Sequence, residues 1–87
     1  MPDYFALSKE LWSLQRRLPE IESQLVNVDA QIFSVVGKIK IAEADPGNKM
    51  AEALSQNLEG LKEMRAGLLE ERELIRKQID EVENEMN

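Results

Sequence analysis

The chain has 87 residues, a formal net charge of −6, and neither cysteine nor histidine. The lack of cysteine excludes disulfides and cysteine-based zinc or iron–sulfur sites, and the lack of histidine removes the commonest acid–base group and metal ligand. Charged residues make up 32% of the chain and aromatic residues only 5%, a composition typical of long helices. No apolar run approaches the roughly 18 residues of a membrane-spanning helix, so we expect no membrane insertion. The first residues do not resemble a secretory signal, which favours cytoplasmic localisation.

A heptad pattern predicts the first helix, over about residues 3–44. Its apolar residues are separated alternately by four and three positions without interruption, which is the pattern of a coiled-coil seam. The seam of this helix is Leu7, Leu11, Leu14, Leu18, Ile21, Leu25, Val28, Ile32, Val35, Ile39 and Ala42.

Pro19 interrupts the first helix. It lacks the backbone N–H and its ring clashes with the preceding turn, so we predict a kink at Pro19 and a break near residues 18–19. Two arginines just before it and two glutamates soon after it also suit a helix end followed by a helix start. The heptad phase passes through Pro19 unchanged, which favours one continuous path. The alternative is that residues 3–17 fold as a separate arm.

A turn over residues 45–48 separates the first helix from the second, which is predicted over about residues 49–85. Pro46–Gly47 suits the centre of a type II turn. Asn48 or Asp45 can cap the second helix by accepting hydrogen bonds from its free N–H groups. The second seam is Ala51, Leu54, Leu58, Leu61, Arg65, Leu68, Arg72, Ile75, Ile79, Val82 and Met86.

The two seams match each other across the turn. Each seam residue of the first helix falls opposite one of the second helix such that the two residue numbers sum to 93, from Leu7 with Met86 to Ala42 with Ala51. All eleven layers obey this rule, and its centre falls at the turn. The sequence therefore predicts one all-α domain, residues 1–87, folded as an antiparallel two-helix coiled-coil hairpin.

Two arginines, Arg65 and Arg72, occupy seam positions where apolar residues are expected. The pairing rule places Asp29 beside Arg65 and Glu22 beside Arg72, at the edge of the seam. An arginine can lay its apolar stem over the seam while its guanidinium reaches such a carboxylate. We interpret the two pairs as residues that fix the register of the hairpin rather than as ligand contacts.

A second apolar row runs along the first helix, separate from the seam. We call this row the aromatic stripe; its residues, seven positions apart, are Phe5, Trp12, Pro19, Val26 and Phe33. On the second helix, Gly60 and Gly67 share the same spacing. Because helical glycines suggest close approach of another chain, we place both in the same partner or dimer interface as the stripe. We expect the stripe to pair two hairpins in a four-helix bundle. The alternative is that it docks a different protein by helix-in-groove packing.

The sequence contains no motif for catalysis, and we expect neither enzyme activity nor a cofactor or metal. The acidic residues show no sign of an enclosed pocket that would tune them for proton transfer. Four cations fall at one height of the hairpin and form a possible anion-binding band: Arg16, Arg17, Arg76 and Lys77. Neutralisation by nearby carboxylates is the favoured interpretation of this band.

The favoured function is that of a non-catalytic protein-interaction module, an acidic homodimeric hairpin that binds, inhibits or chaperones another protein. One alternative is a self-assembling subunit of a filament or secretion apparatus. Another is an accessory protein for nucleic acids, which is disfavoured because net negative charge repels a phosphate backbone.

Overall fold

The computed structural model describes residues 3–87, which form two α-helices, α1 (Tyr4–Glu43) and α2 (Met50–Met86). The helices pack against each other as an antiparallel pair in a rod of 70 × 15 × 14 Å. There is no β-strand within residues 3–87. The structure thus confirms the predicted all-α helical hairpin.

The core of the hairpin is the predicted seam. Every seam residue of both helices is buried or half-buried, whereas most other positions are exposed. The tightest packing surrounds Ile21, which is 0% exposed and lies with Leu25, Ile75 and Ile79 in one cluster. Removing apolar surface from water contributes about 25 cal/mol per Å². Because the seam holds all the buried apolar residues of the described chain, its burial is the main stabilising contribution to the hairpin.

Side chains close the beginnings of both helices. The Asp3 carboxylate accepts hydrogen bonds from the N–H groups of Phe5 and Ala6, at 3.1 and 3.2 Å, and so caps α1. Before α2, the Asn48 side-chain oxygen accepts a hydrogen bond from the Met50 N–H at 2.8 Å. Each contact satisfies backbone donors that have no partner within their helix.

The turn differs from the predicted type. The Asn48 N–H donates to the Asp45 carbonyl at 3.0 Å, which closes a turn over residues 45–48. A type II turn requires positive φ at its third residue, but no residue within 3–87 has positive φ, so that prediction is wrong. The reason is local: the Asp45 carboxylate accepts a hydrogen bond from the Gly47 N–H at 3.1 Å, and the Asp45 N–H continues the helical bonding of α1 to Ala42.

Pro19 lies inside α1 and does not divide it. The helix continues through Pro19 without the break predicted near residues 18–19, and residues 4–17 belong to the same helix rather than to a separate arm. Pro19 is exposed, while Leu18 and Ile21 on either side of it pack in the core cluster. Because both flanking segments are held by the seam, the single hydrogen bond that proline removes does not interrupt the helix. The kink remains a prediction.

Candidate interaction surfaces

The buried seam leaves two long flanks, one on each side of the hairpin. Successive residues of a helix are rotated by about 100° around its axis. Glu22 and Asp29, which directly follow the seam residues Ile21 and Val28, therefore lie on the same flank of α1. We call this flank the ion-pair face. On the opposite flank Arg17 of α1 contacts Glu71 of α2. We call this second flank the glycine face, because the helical rotation places Gly60 and Gly67 next to it.

The ion-pair face brings together the residues that the register predicts. The Arg65 Nε donates to the Asp29 Oδ1 at 2.6 Å, and the Arg72 Nη1 donates to the Glu22 Oε1 at 3.1 Å. Arg76 also approaches Glu22, at 3.9 Å. The two bonded arginine side chains are 43% and 27% exposed, so water screens both pairs. Pairs of this kind contribute roughly 0.2–1 kcal/mol each, which is little compared with the seam.

The aromatic stripe lies outside the core, on the side of α1 adjoining the ion-pair face. The exposed fractions are 75% for Phe5, 62% for Trp12, 67% for Val26 and 84% for Phe33. Helical rotation directs the side chains of the stripe about 130° away from the direction of α2. The second helix of the same hairpin therefore cannot cover them. The stripe is therefore a continuous apolar line on the surface of a single hairpin.

Two cations cover part of the stripe. The Lys9 ammonium lies 5.3 Å from the centre of the Phe5 ring, and the Arg16 guanidinium lies 5.2 Å from the Trp12 ring. Both are one helical turn from the aromatic residue and within the distance of a cation–π contact. The N-terminal half of the stripe is thus bordered by positive charge, while Val26 and Phe33 have no such cover.

The two helical glycines do not serve packing within the hairpin. A Cβ atom added at Gly60 or at Gly67 would meet no atom within 4 Å. Helical rotation places both on the outer side of α2 next to the glycine face, opposite the stripe across the rod. A single two-fold interface built on the stripe would therefore not include them. The grouping of the glycines with the stripe in one interface does not fit this geometry.

The glycine face carries apolar grooves that the sequence did not indicate. One, of about 310 Å³, is lined by Gln24, Asn27, Val28, Met64 and Leu68. Another, of about 390 Å³, lies near the turn and includes the exposed residues Ile41 and Met50. Three apolar residues of these grooves, Ile41, Met50 and Met64, belong neither to the seam nor to the stripe, so periodicity did not single them out. Their only signal in the sequence is that they are apolar residues outside both rows.

Arg17 of the proposed anion-binding band is already bound to two carboxylates. Its Nε donates to Glu71 at 3.0 Å and its Nη1 donates to Glu20 at 3.0 Å. These hydrogen bonds, the one to Glu71 first, raise the pKa of Arg17 above its usual value. The contacts support the interpretation that carboxylates neutralise this part of the band.

The other cations of the band point in different directions. Arg76 lies on the ion-pair face, whereas Arg17 lies on the opposite face. Arg16 stacks on an aromatic ring, and the helical rotation places Lys77 at the outer edge of α2. The four cations therefore surround the rod at one height and do not converge on one anion.

No family model, curated protein or solved structure matches the chain. Among residues 3–87, no three or more acidic side chains come together as a group that could hold a metal ion. Neither of the two described helices has an apolar stretch long enough to cross a membrane.

Proposed function

We propose that the protein is a non-catalytic protein-interaction module, a homodimeric acidic hairpin that binds, inhibits or chaperones another protein. One observation carries this proposal: the aromatic stripe stays on the surface although the seam of the same helix is buried. Four of its side chains, Phe5, Trp12, Val26 and Phe33, are between 62% and 84% exposed. The best candidate for a binding surface is thus this row of apolar side chains rather than a pocket.

The chemistry of the stripe suits protein contact. Burying a large apolar side chain contributes roughly 1.5–3 kcal/mol, and tryptophan in particular is enriched among the residues that dominate binding energy. Long exposed apolar patches on small proteins mark interaction surfaces. The stripe contains no charged residue between Phe5 and Phe33, so a partner can cover it without desolvating a charge of the stripe itself.

The grooves support a binding role rather than a catalytic one. Those of about 310 and 390 Å³ are lined by apolar side chains, amides and one lysine, and neither brings two carboxylates together. A pair of groups with opposite roles in proton transfer is the usual basis of acid–base catalysis. Binding of an apolar segment is the chemistry for which these surfaces are suited.

A second candidate is a self-assembling subunit, which the positions of the stripe and the glycines favour. The stripe and the helical glycines lie on opposite sides of the rod. If the stripe of one copy contacted the glycines of the next, the stack would have an uncovered stripe at one end and uncovered glycines at the other. Such heterologous contacts continue into open filaments unless rotation closes them.

The proposal is tested with the double variant Trp12→Ser/Phe33→Ser and the control Leu74→Ser. Leu74 is 56% exposed and lies outside the stripe and the grooves, so the control removes an exposed apolar group from another surface. Light scattering measures self-association, and photo-cross-linking from position 26 in cells that express the protein measures partner contact. We expect the double variant to lose both signals and the control to keep them. Unchanged association and cross-linking in the double variant would exclude the stripe as the interaction surface.

A further inference from the structure

The occupant of the aromatic stripe follows from its pattern and its surroundings. We infer that two copies of the hairpin pack α1 against α1, in opposite directions, with the two-fold axis passing at Pro19. The inference rests on one part of the proposed function, namely that the stripe is an interaction surface. It adds the orientation and the register in which a second copy covers the stripe.

The apolar residues of the stripe are symmetric about Pro19. Phe5 and Phe33 lie fourteen residues on either side of it, and Trp12 and Val26 lie seven residues on either side. An antiparallel pair centred at Pro19 therefore places Phe5 against Phe33 of the second copy and Trp12 against Val26. A shift by one heptad in one direction puts Phe5 level with Lys40, and a shift in the other leaves Phe33 unpaired. Among antiparallel arrangements, only the centred one pairs every apolar member.

One row that borders the stripe supplies polar contacts. In a two-fold antiparallel pair, each bordering row of one hairpin faces the equivalent row of the second hairpin. On the ion-pair side, Ser8 comes level with Asp29 of the second copy, and Gln15 comes level with Glu22, within one residue of the same height. A hydroxyl and an amide can donate hydrogen bonds to carboxylates. Asp29 and Glu22 hold their intramolecular arginines through one oxygen each, Oδ1 and Oε1.

The row on the other border supplies complementary shape. Lys9 comes level with Ala30 of the second copy, and Arg16 comes level with Ser23, again within one residue. The long side chains are those that lie over Phe5 and Trp12 in the single hairpin. They meet small residues in the second copy, which leave room for their apolar stems.

The distribution of charge favours the antiparallel orientation over the parallel one. The half of the hairpin at its open end, residues 3–23 and 69–87, has eleven acidic and six basic residues, a net charge of −5. The half at the turn, residues 24–68, has six acidic and five basic residues, a net charge of −1. Parallel packing would place the two strongly acidic halves side by side. Antiparallel packing about Pro19 places residues 3–14 of each copy against residues 24–35 of the other, so the acidic halves overlap only over residues 15–23 and the repulsion is lower.

The area available fits a stable dimer. Phe and Trp side chains bury roughly 150–250 Å² each, and Phe5, Trp12 and Phe33 are mostly exposed in one hairpin. Two copies thus bring six rings with on the order of 800 Å² of exposed surface. Val26, Pro19 and the two bordering rows raise the total toward the roughly 1,200–2,000 Å² of specific interfaces.

The orientation is tested by distances between spin labels in the full chain. Because the protein has no cysteine, single substitutions label it at one place, and Glu70→Cys, Glu63→Cys and Gln56→Cys lie in one exposed row of α2, away from the stripe and level with residues 23, 30 and 37 of α1. At 1.5 Å per residue, antiparallel packing about Pro19 separates the two labels along the axis by about 12, 33 and 54 Å. We therefore expect intermolecular distances that increase with each heptad toward the turn in pulsed electron paramagnetic resonance.

Each other outcome overturns the inference in a distinct way. Equal distances at all three positions would show a parallel dimer, and assemblies that grow with concentration would show stacking of the stripe on the glycines. A monomer would exclude the second copy while the stripe remained a docking surface for another protein. Trp12→Ser should abolish the intermolecular distances with an unchanged far-ultraviolet circular dichroism spectrum, and Leu74→Ser, at an exposed position outside the stripe and the grooves, should keep them. Distances retained in Trp12→Ser would also overturn the inference.

Discussion

Two apolar rows with the same seven-residue repeat run along α1, and they have opposite environments. The seam has two residues in each heptad and is buried against α2, whereas the aromatic stripe has one and stays exposed. On α2, the outer row that adjoins the ion-pair face is acidic at Glu52, Glu59, Glu73 and Asp80 and offers no apolar match. The seam therefore determines the hairpin, and the stripe is left to bind outside it.

The largest expected effect compares Ile21→Ala with Phe33→Ala. Ile21 is completely buried, so its truncation should lower the free energy of unfolding by about 2–5 kcal/mol through lost burial and a cavity. Phe33 is 84% exposed, and its truncation should change that free energy by less than about 0.5 kcal/mol in dilute protein. Urea denaturation at several protein concentrations measures both. A large loss for Phe33→Ala at every concentration would place the stripe in the core of the single hairpin.

A smaller gain in stability is expected from Gly60→Ala and Gly67→Ala. The added Cβ meets no atom within 4 Å, and alanine is favoured over helical glycine by about 1 kcal/mol. Each substitution should therefore raise the thermal midpoint of the isolated protein, and Ala66→Gly, at an exposed position between them, should lower it by a similar amount. A destabilised Gly→Ala variant would show that the site is closed. Weaker assembly of a more stable variant would show that a second chain approaches the glycines.

The smallest effect is expected at the ion-pair face. A double-mutant cycle with Glu22→Gln and Arg72→Gln should give a coupling of about 0.2–1 kcal/mol, because both side chains are partly exposed. The coupling should decrease in 1 M salt, where screening acts over about 3 Å. Asp29 and Arg65 provide a matched second cycle. A coupling above about 2 kcal/mol that does not respond to salt would show that the pair is shielded from water, as it would be beneath another chain.

The spacing of apolar residues predicted the hairpin and the ion pairs because both depend on height along the helices. Arg65 lies beside Asp29 because the seams can match in one way about the turn, and this needs only residue numbers. The faces depend on the angle around each helix, which follows from the residue numbers at about 100° per residue once the two helices are paired. The glycines were grouped with the stripe on their seven-residue spacing, without that angle.

The wrong predictions at the connection and at Pro19 have different causes. At the connection the Gly47 N–H donates to the Asp45 carboxylate, in a turn without the positive φ that a Pro-Gly pair suggests. Packing on both sides of Pro19 outweighed the lost hydrogen bond, so α1 continues. The bond to Asp45 is local, whereas the packing at Pro19 exists only once the two helices are assembled.

The two seam arginines also make registers of the two helices that differ by one heptad unequal in energy. A seam of leucines alone would be nearly the same in each of these registers. If α2 slid by seven residues, the seam would still present mostly apolar layers, and one arginine would still find a carboxylate. In one direction, however, Arg72 would come to lie beside Gln15, and in the other Arg65 would come to lie beside Val36. Either slip leaves one guanidinium at the seam without its carboxylate. Of these three registers, only the one with both matched pairs gives each guanidinium a carboxylate.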